Sequence, residues 1–147
     1  MGRRIGVLAA ALLWAATPAS AAPQHKVYLT AEATDGVPSD KAATDFGCTD
    51  TIYAVIELTG ASTAKHHLEA VWRDPAGKDR ERTRYPFWVG RDQERIWVWL
   101  KLHRPTEAAL VQFLNPSAGM DEFIGEWQIH LLLDDQPLGI QKFKVLC

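Results

Sequence analysis

Cysteine is scarce in this chain, two in 147 residues, and the two form no CxxC motif, which argues against a redox-active dithiol. Past the first few residues, no segment approaches the twenty or so apolar residues that a helix needs to cross a bilayer. Catalytic signatures are missing too. There is no GxSxG, no HExxH, no phosphate loop and no glycine-rich dinucleotide turn, so the residues give no reason to expect an enzyme. Repeats, low-complexity tracts and linkers are absent, which leaves one domain. Met120 stands alone, so no methionine cluster offers a soft copper site, and no cofactor is expected. The balance of 16 basic against 18 acidic residues asks for no nucleic acid.

What is present begins with a leader. Arg3 and Arg4 precede an apolar run from Ile5 to Ala16, and small residues follow, ending in Ala19, Ser20 and Ala21. That is the pattern of a signal peptide over residues 1–21, whose apolar part is too short to span a membrane. The mature domain, residues 22–147, is expected to be periplasmic or secreted, without an integral membrane segment, and to carry 14 basic against 18 acidic residues. In an oxidising compartment Cys48 and Cys147 are expected to form one disulfide. Cys147 is the last residue, so such a bond would pin an end that otherwise frays.

Short apolar segments bounded by turn residues follow one another: 26–33, 51–58, 65–74, 80–89, 94–103, 126–134 and 140–147. Their apolar residues alternate with a period of two, the mark of half-buried strands. Leu68, Ala70 and Trp72 share one face of the third segment, which makes Trp72 a core residue. The turn DPAGKD, with Pro75 and Gly77, joins that segment to the next as a hairpin. Pro86 cannot donate to a ladder, so the strand holding it belongs at a sheet edge. Segment 107–115, EAALVQFLN, is ambiguous between strand and short helix. The order predicts an all-β fold, an antiparallel sandwich of seven or eight strands.

The order of elements resembles the immunoglobulin-like sandwich of bacterial exported domains. Residues 108–134 look like its strand E, the following corner and strand F, with Gly125 and Trp127 where an aromatic enters strand F. Trp72 sits where such domains bury a tryptophan on strand C, and GEWQIHLLLDDQPLGIQKFKVL is similar to their last hairpin. The cysteine positions depart from the antibody pattern, so the resemblance implies architecture and no particular function.

The stretch ERIWVWLKLH carries the clearest functional signal. Ile96, Val98, Leu100 and Leu102 line one face of it, and Trp97, Trp99, Lys101 and His103 line the other. Two tryptophans on an expected wet face are either roofed by a lid, for which 115–123 is apolar enough, or form a platform for a protein or glycan. Trp97, Trp99 and His103 are therefore the candidate binding surface of a non-catalytic module docking an envelope protein or glycan. The alternative is metal handling. In the immunoglobulin-like order His67, Glu69 and His130 fall on the outer face of one sheet, an imidazole and carboxylate set. Arg80, Arg82 and Arg84 make a stripe among acidic neighbours that reads as edge-strand protection.

Overall fold

A computed structural model describes residues 21–103 and 120–147. The expected leader, apart from Ala21, and the ambiguous segment 107–115 lie outside the described residues. The described chain is all β save one 3-10 turn, Asp121–Phe123, and holds no helix long and apolar enough to cross a membrane.

Seven strands are long: β1 (Gln24–Thr30), β5 (Thr51–Thr59), β6 (Lys65–Arg73), β7 (Asp79–Trp88), β8 (Gln93–Lys101), β9 (Gly125–Leu133) and β10 (Gln136–Leu146). Three are short: β2 (Ala33–Thr34), β3 (Val37–Pro38) and β4 (Asp45–Gly47). They make a three-stranded sheet in the order β1-β5-β8, a five-stranded sheet in the order β4-β10-β9-β6-β7, and the small β2-β3 hairpin. All pairings are antiparallel except β4 with β10, which is parallel.

Alternation explains the two layers. Ile52, Ala54, Ile56 and Leu58 of β5 and Ile96, Val98 and Leu100 of β8 point from one sheet into a core shared with Leu68, Ala70 and Trp72 of β6, Trp127, Ile129 and Leu131 of β9, and Phe143 and Val145 of β10. The result is a β-sandwich. Phe143 is the hub of its aromatic centre, with ring centroids 5.7 Å from Phe46, 5.9 Å from Trp72 and 6.0 Å from Trp127.

Two turns fix the ends of the large sheet. Asp134 and Asp135 have φ of 49° and 65°, the paired positive values of a two-residue type I′ hairpin, which joins β9 to β10. A register shift between Pro137 and Gly139 follows. Gly125, with φ of 135°, opens β9 where a Cβ would come within 3.1 Å of Pro75, so the β6–β7 turn packs directly on that backbone.

Candidate functional site

Among the described residues the sandwich is closed on one side and open on the other. At the closed side the β1 and β4–β10 edges are stitched by Ala43 N–H donating to Leu29 O and Lys144 N–H to Thr44 O, both at 2.8 Å. At the open side β7 is the last strand of one sheet and β8 the last of the other. Between them runs a groove of about 870 Å3 lined by Glu81, Thr83, Tyr85, Pro86, Phe87 and Trp88 of β7 and Glu94 to Trp99 of β8. Its wall is mostly apolar, and three of its aromatic rings are wet: Trp88 is 69% exposed, Trp99 58% and Tyr85 48%. Large aromatics exposed together on a soluble domain mark interaction surfaces more often than chance packing.

The residues Glu81, Thr83, Tyr85 and Phe87 have the parity that points between the sheets, yet only Phe87 is buried. A five-stranded sheet overhangs a three-stranded one, so the far half of β7 has no strand across from it among the described residues.

The outer face of β8 divides by rows across the small sheet. Lys26, Glu57 and Arg95 form an ionic row, with Lys26 to Glu57 at 3.6 Å and Arg95 to Glu57 at 3.8 Å. Tyr28, Val55 and Trp97 form the next row, in which Tyr28 and Val55 are buried and Trp97 half-buried. Arg95 lies 6.0 Å from the Trp97 ring and donates to the Tyr28 hydroxyl and the Pro38 carbonyl, both at 2.8 Å. The loop around the β2-β3 hairpin and the Arg95 guanidinium thus cover one end of this face. Trp99 stands in the row of Thr30 and Tyr53, beyond that cover, and His103 is exposed past the end of β8.

The lid expected from 115–123 is displaced from these rings where it is described. Met120 is fully buried in the core, and Phe123 stacks on Trp127 at 6.1 Å and accepts the Trp127 indole N–H at its carbonyl at 2.7 Å. Arg80 ties the same turn down, bonding Asp74 at 2.6 Å and Glu122 at 2.8 Å while lying 5.0 Å from the Phe123 ring. Residues 115–119 lie outside the described residues.

The arginine stripe is neutralised locally. Besides Arg80, Arg82 bonds Glu69 and Arg84 lies 3.6 Å from Asp135. His67, Glu69 and His130 do share an outer face, but they do not converge. His67 lies beside Asp134, whereas His130 pairs with Val71, four positions along β6, or about 13 Å away. Glu69 is engaged by Arg82, and no group of three His, Cys, Asp or Glu able to hold a metal occurs among the described residues. Burial, with the nearby Arg73 cation, holds the His130 imidazole below its ordinary pKa.

A second cluster was legible in principle and missed. His66 shares the parity of Leu68 and Trp72, so it points inward, where an imidazole needs partners. Its Nδ1 is 2.6 Å from the Asp134 carboxylate, and its Nε2 is 2.8 Å from the Ser62 carbonyl and 3.3 Å from the Ser62 hydroxyl. Serine, histidine and aspartate in line resemble a nucleophilic triad, but the Ser62 carbonyl can only accept, so Nε2 carries a proton and cannot take one from the hydroxyl. Both ring nitrogens donate. His66 is an imidazolium bridge between the loop before β6 and the β9–β10 turn, and its ring packs 5.8 Å from Phe87, in the groove wall.

The Asp134 hydrogen bond, helped by the Ser62 carbonyl, raises the His66 pKa above its ordinary value. Burial pulls the Asp134 carboxyl upward, but hydrogen bonds from His66 and the His67 amide outweigh it and leave it below the ordinary range. A raised folded-state pKa gives stability that is present below the unfolded-state value and is lost as pH rises through the folded one; for Asp134 the loss comes as pH falls. The melting temperature is therefore expected to decline as pH rises past the ordinary imidazole value of 6.5 into the alkaline range, and His66→Gln to flatten that decline. Thermal melts of both proteins across the range check this; parallel curves would refute it.

No protein-family model matches this sequence, and no curated protein does. Among solved structures, similar folds occur in a Pseudomonas fluorescens alkylpurine DNA glycosylase, AlkC, bound to DNA (TM-score 0.47, 13% identity, 84% of this chain and 30% of that one). A Listeria innocua beta-glucosidase in complex with glucose follows (0.46, 6%, 84% and 16%). A CARDB domain from Pyrococcus furiosus in complex with di-metal ions is a third (0.42, 8%, 84% and 89%). The chain spans under a third of the first two proteins. At these identities and scores none of the three speaks to what this chain binds.

Proposed function

We propose that this chain is an exported, non-catalytic binding or accessory module of the cell envelope, with immunoglobulin-like architecture, that docks a protein or glycan partner in the groove between β7 and β8. One observation carries the reading: the groove lies along two sheet edges that no further strand covers among the described residues, and it presents Trp88, Trp99 and Tyr85 to solvent. Aromatic anchors of this kind supply most of the energy of an interface.

Export is supported by the leader pattern of residues 1–21. Cys48 and Cys147 are not at bonding distance in this structure. The parallel register of β4 with β10 pairs Phe46 with Val145 and Gly47 with Leu146, so each cysteine follows the last paired residue of its strand.

Replacing Trp88 and Trp99 together by alanine tests the groove. Both rings are wet, so stability should change by less than about 1 kcal/mol. Loss of two anchor rings should weaken partner binding by at least about 30-fold. Binding is read by pull-down and titration with envelope extract fractions, stability by thermal melting. A stable variant that keeps every partner at native affinity would refute the site.

A further inference from the structure

We infer that the groove takes an extended peptide segment of a partner protein, apolar along its middle and basic at its ends, which adds to the open edge of β8 as a further strand. The inference builds on the groove as the binding surface and names its occupant.

Parity shows what the groove exposes. Six consecutive residues of β8, Glu94 to Trp99, line it. Successive side chains of a strand point to opposite faces, so a groove lined by both parities runs along the strand's edge, where backbone N–H and C=O groups project. β8 is the last strand of its sheet among the described residues, and the six residues offer about 20 Å of edge. Sheet edges are ordinarily blunted by charge or proline. β7 follows that rule with Arg82, Arg84 and Pro86, whereas Ile96-Trp97-Val98-Trp99 of β8 carries neither. The undefended edge belongs to the smaller sheet, on the side where the larger one overhangs.

A strand added there would face both layers. Side chains directed inward would meet Tyr85 and Phe87 from β7 beside Ile96 and Val98, and those directed outward would lie along Trp99. That is strand addition, in which main-chain hydrogen bonds give affinity and alternate side chains give selectivity.

Charge fixes the ends. β7 and β8 are joined by the short loop 89–92, so Glu94 lies at the loop end of the groove and Glu81 at the far end. Neither carboxylate has a cationic partner among the described residues, and Glu81 accepts only the Thr83 hydroxyl at 3.4 Å. The groove's own cation, Arg95, is occupied by Glu57, Tyr28, Pro38 and Ser39. An incoming segment therefore meets carboxylates at both ends and apolar surface between them. A neutral glycan could stack on the rings but would leave the edge of β8 and both carboxylates unanswered.

The test is an amide-resolved titration of the mature protein with acetyl-Lys-Val-Thr-Val-Thr-Val-Lys amide. The comparison probes are two versions N-methylated at alternate positions, one with glutamate ends, and cellohexaose. Saturable shifts confined to residues 94–99 and the facing part of β7 are expected. Methylation should weaken binding at least about tenfold in one register and little in the other, because only alternate amides of a strand face its neighbour. Glutamate ends should weaken it by a similar factor.

Equal binding by both methylated peptides would overturn strand addition. So would cellohexaose binding where the peptide does not, shifts produced by raising protein concentration alone, or β8 amides already protected in the free protein. Those outcomes leave the groove standing as a surface. The groove itself is tested separately, by whether the variant lacking Trp88 and Trp99 keeps its partners.

Discussion

Trp72→Ala is expected to destabilise the domain by about 3 kcal/mol or more, within the range of about 3–5 kcal/mol for buried aromatics. Trp72 is fully buried, pairs with Ile129 across β6 and β9, and meets Phe143 edge to face at 5.9 Å. Phe143 in turn touches Trp127 and Phe46, so the cavity would open where four strands of the large sheet, β4, β6, β9 and β10, meet the core between the layers. One feature tempers the loss: the Trp72 indole N–H has no hydrogen-bond partner among the described residues. Burying such a group unpaired costs about 1–3 kcal/mol, which removal of the ring refunds in part. Trp72→Phe, which keeps most of the ring and drops the N–H, should therefore cost much less than Trp72→Ala. Urea melts of both variants check this, and a Trp72→Ala protein that unfolds with wild-type stability would contradict the packing described for β6.

Breaking a Cys48–Cys147 bond is expected to cost several kcal/mol. A loop of about 100 residues is worth about 4.7 kcal/mol on the chain-entropy estimate, less any strain in the folded protein. The tie would fasten β4 and the end of β10, whose parallel pairing spans only Asp45–Gly47 and Lys144–Leu146. Cys147→Ser, at an exposed position, should lower stability by about the worth of the bond, and adding Cys48→Ser should cost only what burying its hydroxyl in the core costs. Melting the oxidised protein with and without reductant, alongside a thiol count under denaturing conditions, checks the expectation. Two reactive thiols in protein purified from the envelope would contradict it.

Period-two alternation carried much of the fold. Ile96, Val98 and Leu100 inward with Trp97 and Trp99 outward is how β8 sits, and the same reading placed Trp72 in the core. The placement of Pro86 at an edge follows from its missing N–H, and β7 ends its sheet among the described residues. Other features were illegible for physical reasons. β4 is three residues long, too short to show a period, and its partner β10 lies almost a hundred positions away. The type I′ turn at Asp134–Asp135 has no glycine to announce it. His66 could have been found, since its parity is that of Leu68, but its partners Ser62 and Asp134 come together only through the pairing of β6 with β9. The groove was the least legible feature. It depends on which strands end their sheets, and Trp88, its most exposed ring, sits in a strand whose arginines and proline read as edge protection alone.

The central claim, that the groove between β7 and β8 is the binding surface, is tested most directly by site-specific photo-crosslinking in the exporting cell. A photoreactive phenylalanine analogue is placed at Trp99 in the groove, and separately at Ile140 on β10, which is 53% exposed but outside the groove. The expected result is a discrete adduct from position 99 that is absent from position 140 and disappears when Trp88→Ala is added. No adduct from position 99, or the same adduct from both positions, would contradict the account.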